Sequence, residues 1–136
     1  PGAMKQIPDN TDIPLATGER PYTRWGFLPF FENHSLSVIQ PDVGNCGGIT
    51  EAKKICDMAH IYDLGVQTHV CSSPLSVVIG LHLEAAIPNF VIHEHHIANT
   101  LQSFIEMCVH DYQPKDGSFE LPELPGLGNE ITEKAL

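Results

Sequence analysis

The 136-residue sequence predicts an α/β fold built on a parallel sheet, and three observations predict it. Short apolar runs alternate with longer helical stretches, an order that calls for right-handed crossovers between parallel strands. Each run closes on a polar residue: Glu19 after Ile13-Pro14-Leu15-Ala16-Thr17-Gly18, Asp42 after Leu36-Ser37-Val38-Ile39-Gln40-Pro41, His69 after Gly65-Val66-Gln67-Thr68, and Glu94 after Phe90-Val91-Ile92-His93. Those four residues lie 23, 27 and 25 positions apart, a near-constant period. A doubly wound sheet and part of a (β/α)8 barrel both satisfy this pattern. A Gly-x-Gly-x-x-Gly turn is absent, which weakens the dinucleotide-binding version. Four strands are too few to close a barrel of eight.

The elements follow in order. Residues 2–10 read as a short, weak helix with Met4 and Ile7 on one side, broken by Asp9-Asn10-Thr11-Asp12. Residues 13–18 form a brief strand, with Pro14 at its opening, where a missing donor is tolerated. Residues 23–32 are rich in aromatics and predict a short helix disturbed by Pro29. Residues 35–40 predict a strand apolar on both faces. Thr50 is expected to cap a helix over residues 51–64, whose buried stripe is Ala52, Ile55, Cys56, Ala59 and Tyr62. Gly65 stops that helix and begins a strand over 65–70. Ser73-Pro74 is a cap followed by proline at the first helical position. The helix from 74 to 86 carries Leu75, Val78, Leu81, His82 and Ala85 at helical spacing, and Pro88 stops it. Residues 89–94 predict the last strand and 99–108 a helix. From Asp111 onward, prolines and glycines predict extended and turning chain, with Asp116-Gly117 suited to a hairpin turn.

Bulk composition narrows the function. The apolar fraction of 42% and charged fraction of 18% are those of a globular protein. Seventeen acidic residues against seven Lys and Arg give a net charge of −10, and no basic stripe exists, so nucleic acid is not expected as a partner. The excess acid disfavours a free anionic substrate unless a divalent cation intervenes. No transmembrane run or signal peptide is evident, so no membrane partner is expected. Cys46, Cys56, Cys71 and Cys108 include no C-x-x-C pair and read as reduced, partly buried thiols, which places the protein in the cytoplasm. Pro1-Gly2-Ala3-Met4 resembles mid-loop sequence, with Met4 too late for an initiator. The biological polypeptide is therefore expected to begin before residue 1, an engineered-tag scar being the alternative.

In a parallel sheet, chemistry gathers at the carboxyl ends of the strands, where Glu19, Asp42, His69 and Glu94 all lie. Asp42 and His69 fall on adjacent strands. A carboxylate that takes a proton from one imidazole nitrogen fixes the tautomer and makes the other nitrogen a general base. Glu94, partly desolvated, would stay protonated and donate to an oxyanion. Glu19 would bind a hard cation such as Mg2+. Each residue also has an ordinary reading: Asp42 as a loop cap, Glu19 as a surface ion pair with Arg20, His69 as a structural histidine. In His93-Glu94-His95-His96 the first and third histidines share a strand face and could contribute to a zinc site. That ligand set is locally incomplete, and lining the mouth of a polar substrate site, or simple exposure, is the preferred reading.

At these residues the chain resembles the enolase superfamily, specifically its mandelate racemase group. The matching pieces are Ile13-Pro14-Leu15-Ala16-Thr17-Gly18-Glu19-Arg20, Gln40-Pro41-Asp42 with Gly47-Gly48-Ile49-Thr50-Glu51, Thr68-His69, Pro88-Asn89-Phe90, Glu94, and Pro125-Gly126-Leu127-Gly128. Among relatives it is most similar to sugar-acid dehydratases of the galactonate and mannonate type. The resemblance implies the C-terminal half of a (β/α)8 barrel, about four βα units over residues 1–110, and a tail over 111–136 that packs on a capping domain outside this chain. It implies Glu19 as the third carboxylate ligand of Mg2+, Asp42 and His69 as an Asp-His dyad with His69 the acid/base, and Glu94 as the acid hydrogen-bonded to the enolate oxygen. The implied reaction abstracts the α-proton of a sugar acid, an aldonate or aldarate, and loses the β-hydroxyl to give a 2-keto-3-deoxy acid. The implied partners are the sugar acid, the missing N-terminal half of the enzyme and further copies in a homo-oligomer. The isolated chain is expected to bind Mg2+ poorly and to be inactive. A racemase or epimerase on the same scaffold and a non-catalytic half-barrel remain the alternatives.

Overall fold

The computed structural model describes residues 3–136. Three strands, β1 (Ala16–Thr17), β2 (Val38–Ile39) and β3 (Gly65–Val66), pair in parallel in the order β1-β2-β3. Ala16 pairs with Val38 and Thr17 with Ile39; Val38 then pairs with Gly65 and Ile39 with Val66. The predicted fourth strand is reduced to one parallel bridge, Val66 with Phe90. Val66 N–H donates to Asn89 O at 2.8 Å and Val91 N–H to Val66 O at 2.9 Å, and no further ladder is formed there. All three strands are shorter than their apolar runs, because the ladder lasts only while both neighbours stay extended.

Helices α1 (Thr23–Glu32) and α3 (Ile49–Ile61) cover the sheet. α1 runs through Pro29 despite the donor that proline lacks. Phe27 and Phe31 on α1 and Ala52, Ile55, Cys56 and Ala59 on α3 are fully buried with Ile39 and Val66, so sheet and helices share one core. Tyr62 stacks on Phe31 at 5.6 Å from the edge of this core. The cap of α3 differs from expectation. Gly48 holds the cap position with φ +90°, Ala52 N–H bonds to its carbonyl at 2.9 Å, and Thr50 lies inside the first turn. Gly47 at φ +118° ends a short helix that the sequence reading lacked, α2 (Val43–Cys46). The two glycines supply consecutive backbone conformations that other residues rarely adopt, so the turn sets the helix start.

α4 (Pro74–Ala85) begins at Ser73, whose N–H bonds to Ser76 Oγ at 3.2 Å, with Pro74 in the first turn as expected. Its buried side differs from the predicted stripe. Val77, Val78, Gly80, Leu81, Leu83 and Glu84 are buried, whereas Ala85 is exposed. The helix is sandwiched between the sheet and the chain beyond residue 110, with Phe119 packed against Val70, Val77 and Leu81.

The helix expected over 99–108 is broken into a 3-10 turn, Ile97–Thr100, and α5 (Gln102–Ile105), with Leu101 extended between them. Leu101 N–H closes the 3-10 turn on Ala98 O at 3.1 Å, and Thr100 Oγ1 to Ile97 O and Gln113 Nε2 to Asn99 O, both at 2.8 Å, hold that turn in place. Cys108 then pairs antiparallel with Ile131. Near the start, the predicted helix is two 3-10 turns, Met4–Gln6 and Pro8–Asn10, since Pro8 has no N–H to extend the first; Gly2 lies outside the described residues. Asp116 and Gly117, both at positive φ, make the expected hairpin turn between Lys115 and Ser118. The tail is tied back by Asn129, which bonds both backbone groups of His110, and by Tyr112 Oη to Gly128 O at 2.9 Å. Among the described residues no helix is long and apolar enough to cross a membrane.

Candidate functional site

The parallel register between β2 and β3 builds the site. Val38 with Gly65 and Ile39 with Val66 are pairs of equal offset, and Gln67 N–H to Ile39 O at 3.0 Å and His69 N–H to Pro41 O at 3.1 Å carry that alignment past the strand ends. Asp42 and His69 therefore arrive side by side. His69 Nδ1 lies 2.8 Å from Asp42 Oδ2, and the two residues are 27 positions apart in sequence, which is the register offset itself.

Asp42 performs both roles that its position allowed. Oδ1 accepts the N–H groups of Gly44 at 2.7 Å and Asn45 at 3.2 Å, capping α2, while Oδ2 meets His69. Its side chain is only 6% exposed, so a carboxylate there must have its oxygens satisfied, and these three bonds do so. A carboxylate only accepts, so His69 carries a proton on Nδ1 and turns Nε2 outward. Glu19 Oε2 stands 3.2 Å from that Nε2. The order across the mouth is Asp42, His69, Glu19, with one carboxylate at each ring nitrogen. Glu19 is half exposed, and its other oxygen contacts Arg20 Nε at 3.4 Å, so the surface pairing with Arg20 also exists. Asn45 Nδ2 reaches Glu19 O at 3.4 Å, linking α2 to the β1 end.

Glu94 lies one strand beyond His69. Its Oε2 accepts Val70 N–H at 2.7 Å, leaving the other oxygen for a further partner. Cys71 marks how closely these groups gather. Its thiol is held above its ordinary value first by burial and then by the charges of Glu94, Asp42 and Glu19. A cleft of about 160 Å³ opens beside His69, lined by Asp42, Gly44, Val70, Ser72 and Ser76 among others. Cys46 and Cys56 are unreactive by comparison: burial pushes their thiols up to about 11 and about 12.

Not every predicted site residue is where it was expected. His93 is not at the mouth. It is buried behind the sheet, where its Nδ1 meets Glu84 Oε2 at 2.6 Å. His93 and His95 do share a side, each edge-on to Phe119 at 4.7 and 5.4 Å. His96 is exposed and its Nδ1 accepts Ala98 N–H. Among the described residues no three His, Cys, Asp or Glu side chains converge as a metal site, so the histidine pair forms no zinc set of its own. For Mg2+ the chemistry of the donors is decisive: Glu19 offers hard carboxylate oxygen at the mouth and fits as one ligand of a set, which this chain alone does not complete.

The sequence reading missed Glu84, whose position in an apolar helix gave no sign of a buried carboxylate. It also missed the bridge from Gln40 Nε2 to Gln67 Oε1 at 3.1 Å, which joins the strand ends below the dyad. The equal offset of Gln40 and Asp42 from Gln67 and His69 was the available signal.

Comparison with known proteins gives a consistent result. Residues 1–135 match the family model described as enolase C-terminal domain-like. D-xylonate dehydratase of Haloferax volcanii is 34% identical over 125 residues, covering 92% of this chain and 30% of that protein. D-galactonate dehydratase of Xanthomonas axonopodis pv. citri is 36% identical over 132 residues, covering 93% of this chain and 35% of that protein. A crystal structure of an enolase superfamily member from Salmonella Typhimurium superimposes with a TM-score of 0.96 at 59% identity, covering 99% of this chain and 34% of that one. A mandelate racemase/muconate lactonizing enzyme from a Sulfitobacter species does so with a TM-score of 0.89 at 32% identity, covering 96% and 32%. The chain spans about a third of the length of the curated relatives it matches.

Proposed function

We propose, from the premise that the chain belongs to the enolase C-terminal domain-like family, that it carries the acid/base half of a sugar-acid dehydratase. The observation that carries this reading is the line Asp42–His69–Glu19 at the strand ends, with contacts of 2.8 and 3.2 Å. The printed activities of the xylonate and galactonate relatives point to the same substrate class. Three parallel strands with helical crossovers, and relatives about three times as long, support a place in the second half of a (β/α)8 barrel.

The steps follow from the residues. Asp42 holds the His69 ring through Nδ1 and leaves Nε2, which meets Glu19 in this structure, as the nitrogen that would face the α-carbon of a bound aldonate or aldarate when Glu19 turns away from it. His69 Nε2 takes the α-proton, and the positive charge that develops on the ring is compensated by the buried Asp42 carboxylate. Glu94, held by Val70 N–H on one oxygen and carrying a proton on the other, donates that O–H to the carboxylate end of the substrate as electrons move onto it. The β-hydroxyl departs as water with the proton returned by the His69 imidazolium, and the enol that remains tautomerises to the 2-keto-3-deoxy acid. Glu19 would be this chain's ligand for Mg2+, which when bound neutralises the substrate carboxylate and acidifies its α-proton. Such a cation also answers the charge problem of an anionic substrate near a protein of net charge −10.

The test is an assay of the full-length enzyme, with Mg2+, against a panel of aldonates and aldarates for 2-keto-3-deoxy acid. Product from at least one member is expected. Exchange of the α-proton in D2O with the substrate recovered intact or epimerised, and no keto acid, would replace the dehydratase by a racemase or epimerase.

A further inference from the structure

The carboxylate of Glu84 is buried behind the site, on the face of α4 that meets the sheet. Thr68 Oγ1 donates to Glu84 Oε1, and His93 Nδ1 meets Glu84 Oε2 at 2.6 Å. Thr68 and His93 are fully or nearly fully buried, and each immediately precedes a residue of the proposed site: Thr68 comes before His69 and His93 before Glu94. In extended chain, neighbouring side chains point to opposite faces. Thr68 and His93 turn toward α4, while His69 meets Asp42 and Glu94 meets Val70 N–H. One carboxylate thus grips two strand ends from behind at the points where they deliver His69 and Glu94 forward.

Gly80 stands one helical turn before Glu84 and makes room for this grip. A Cβ there would lie 3.0 Å from Val70 Cγ2, 3.2 Å from Thr68 Oγ1 and 3.3 Å from His93 Cε1. Backbone pairing joins β3 to the segment 89–94 at a single bridge, Val66 with Phe90, and the remaining ties run through side chains, Asn89 Nδ2 to Leu64 O at 2.9 Å and Val70 N–H to Glu94 Oε2 at 2.7 Å. Backbone pairing alone therefore does little to fix the distance between the two strand ends.

We infer that Glu84 is a positioning residue that sets the separation and direction of His69 and Glu94 by holding Thr68 and His93. The inference rests on the reading of His69 and Glu94 as acid/base and oxyanion partner. It concerns bonds and not charge, because a carboxamide at the same place can still accept from His93 and donate to Thr68 with the hydroxyl turned.

The test compares Glu84→Ala, Glu84→Gln and Thr68→Val in the full-length enzyme. Glu84→Ala is expected to lower kcat by roughly 10- to 100-fold, the scale of a small misplacement of reacting groups, with KM within about twofold. Glu84→Gln is expected to recover most of that loss, and Thr68→Val, which keeps the side chain's shape, to fall between. Mg2+ binding measured by calorimetry stays unchanged in all three. The 15N signals of the His69 ring, which do not depend on any substrate, are expected to shift in Glu84→Ala and return in Glu84→Gln. Should Glu84→Ala fail to fold, Thr68→Val gives the same two readouts with a smaller effect. Unshifted His69 signals, or equal losses in Glu84→Ala and Glu84→Gln, would overturn the inference. An inactive wild type with shifted His69 signals would instead sink the dehydratase reading while leaving the grip of Glu84 standing.

Discussion

Asp42 shows how one residue can be both a cap and part of a site. Its two oxygens divide the work: Oδ1 holds the first turn of α2 and Oδ2 holds His69. Asp42→Asn should keep a capping oxygen but lose the defined pull on Nδ1–H. In the full-length enzyme kcat is expected to drop by about 10²- to 10⁴-fold, the range seen when a histidine loses its orienting carboxylate, with little change in melting temperature. Asp42→Ala should add a loss of about 1 kcal/mol in stability from the missing cap, visible in urea titration. Equal kcat in wild type and Asp42→Asn would remove the dyad from the account. At this scale much of the site was legible, because the spacing of Asp42 and His69 equals a parallel register offset. His93 and Glu84 were not legible. A histidine beside Glu94 and a glutamate near the end of an apolar helix look like surface residues until packing brings them together.

Helix pairing is held by apolar burial and one ion pair. Phe31 and Ile55 are fully buried in the core shared by α1, α3 and the sheet. Phe31→Ala should cost about 3–5 kcal/mol and Ile55→Ala about 2–5 kcal/mol by chemical denaturation. Glu51 on α3 accepts both Arg24 N–H and Arg24 Nε at 2.9 Å, tying the start of α1 to α3. The Arg24 backbone N–H, and then its guanidinium, hold the Glu51 carboxyl below the usual carboxylate range. A lowered folded value means that this contribution is present above the ordinary range and is lost as pH falls through the folded value. Melting temperatures of wild type and Glu51→Gln should therefore differ near pH 7 and converge in acid; a gap that widens in acid would contradict the pairing. The helices and their order were readable from periodicity. What escaped were features fixed by neighbours: α2, whose cap is Asp42, the start of α3 at the Gly47-Gly48 turn, and the break at Leu101, which follows a 3-10 turn whose Asn99 carbonyl accepts from Gln113.

The whole molecule presents a sheet with two open sides. β1 has a partner on one side only, and beyond the single bridge at Phe90 the exposed run Phe90, Val91 and Ile92 has no strand against it among the described residues. Such edges invite pairing with other chain. Joined to the remainder of a barrel, they would be covered; alone, the 136-residue polypeptide is expected to elute from gel filtration as associated species and to bind Mg2+ weakly, Glu19 being the ligand proposed for it. A stable monomer would count against the half-barrel reading. His69, oriented by Asp42, is proposed to move the α-proton, and solvent deuterium followed into substrate or product reports that step. The measurement compares full-length wild type and His69→Asn in D2O with Mg2+ and the preferred sugar acid. Wild type should eliminate or exchange, and His69→Asn should do neither while binding Mg2+ with unchanged affinity. Deuterium incorporation or keto-acid formation by His69→Asn at the wild-type rate would contradict the account.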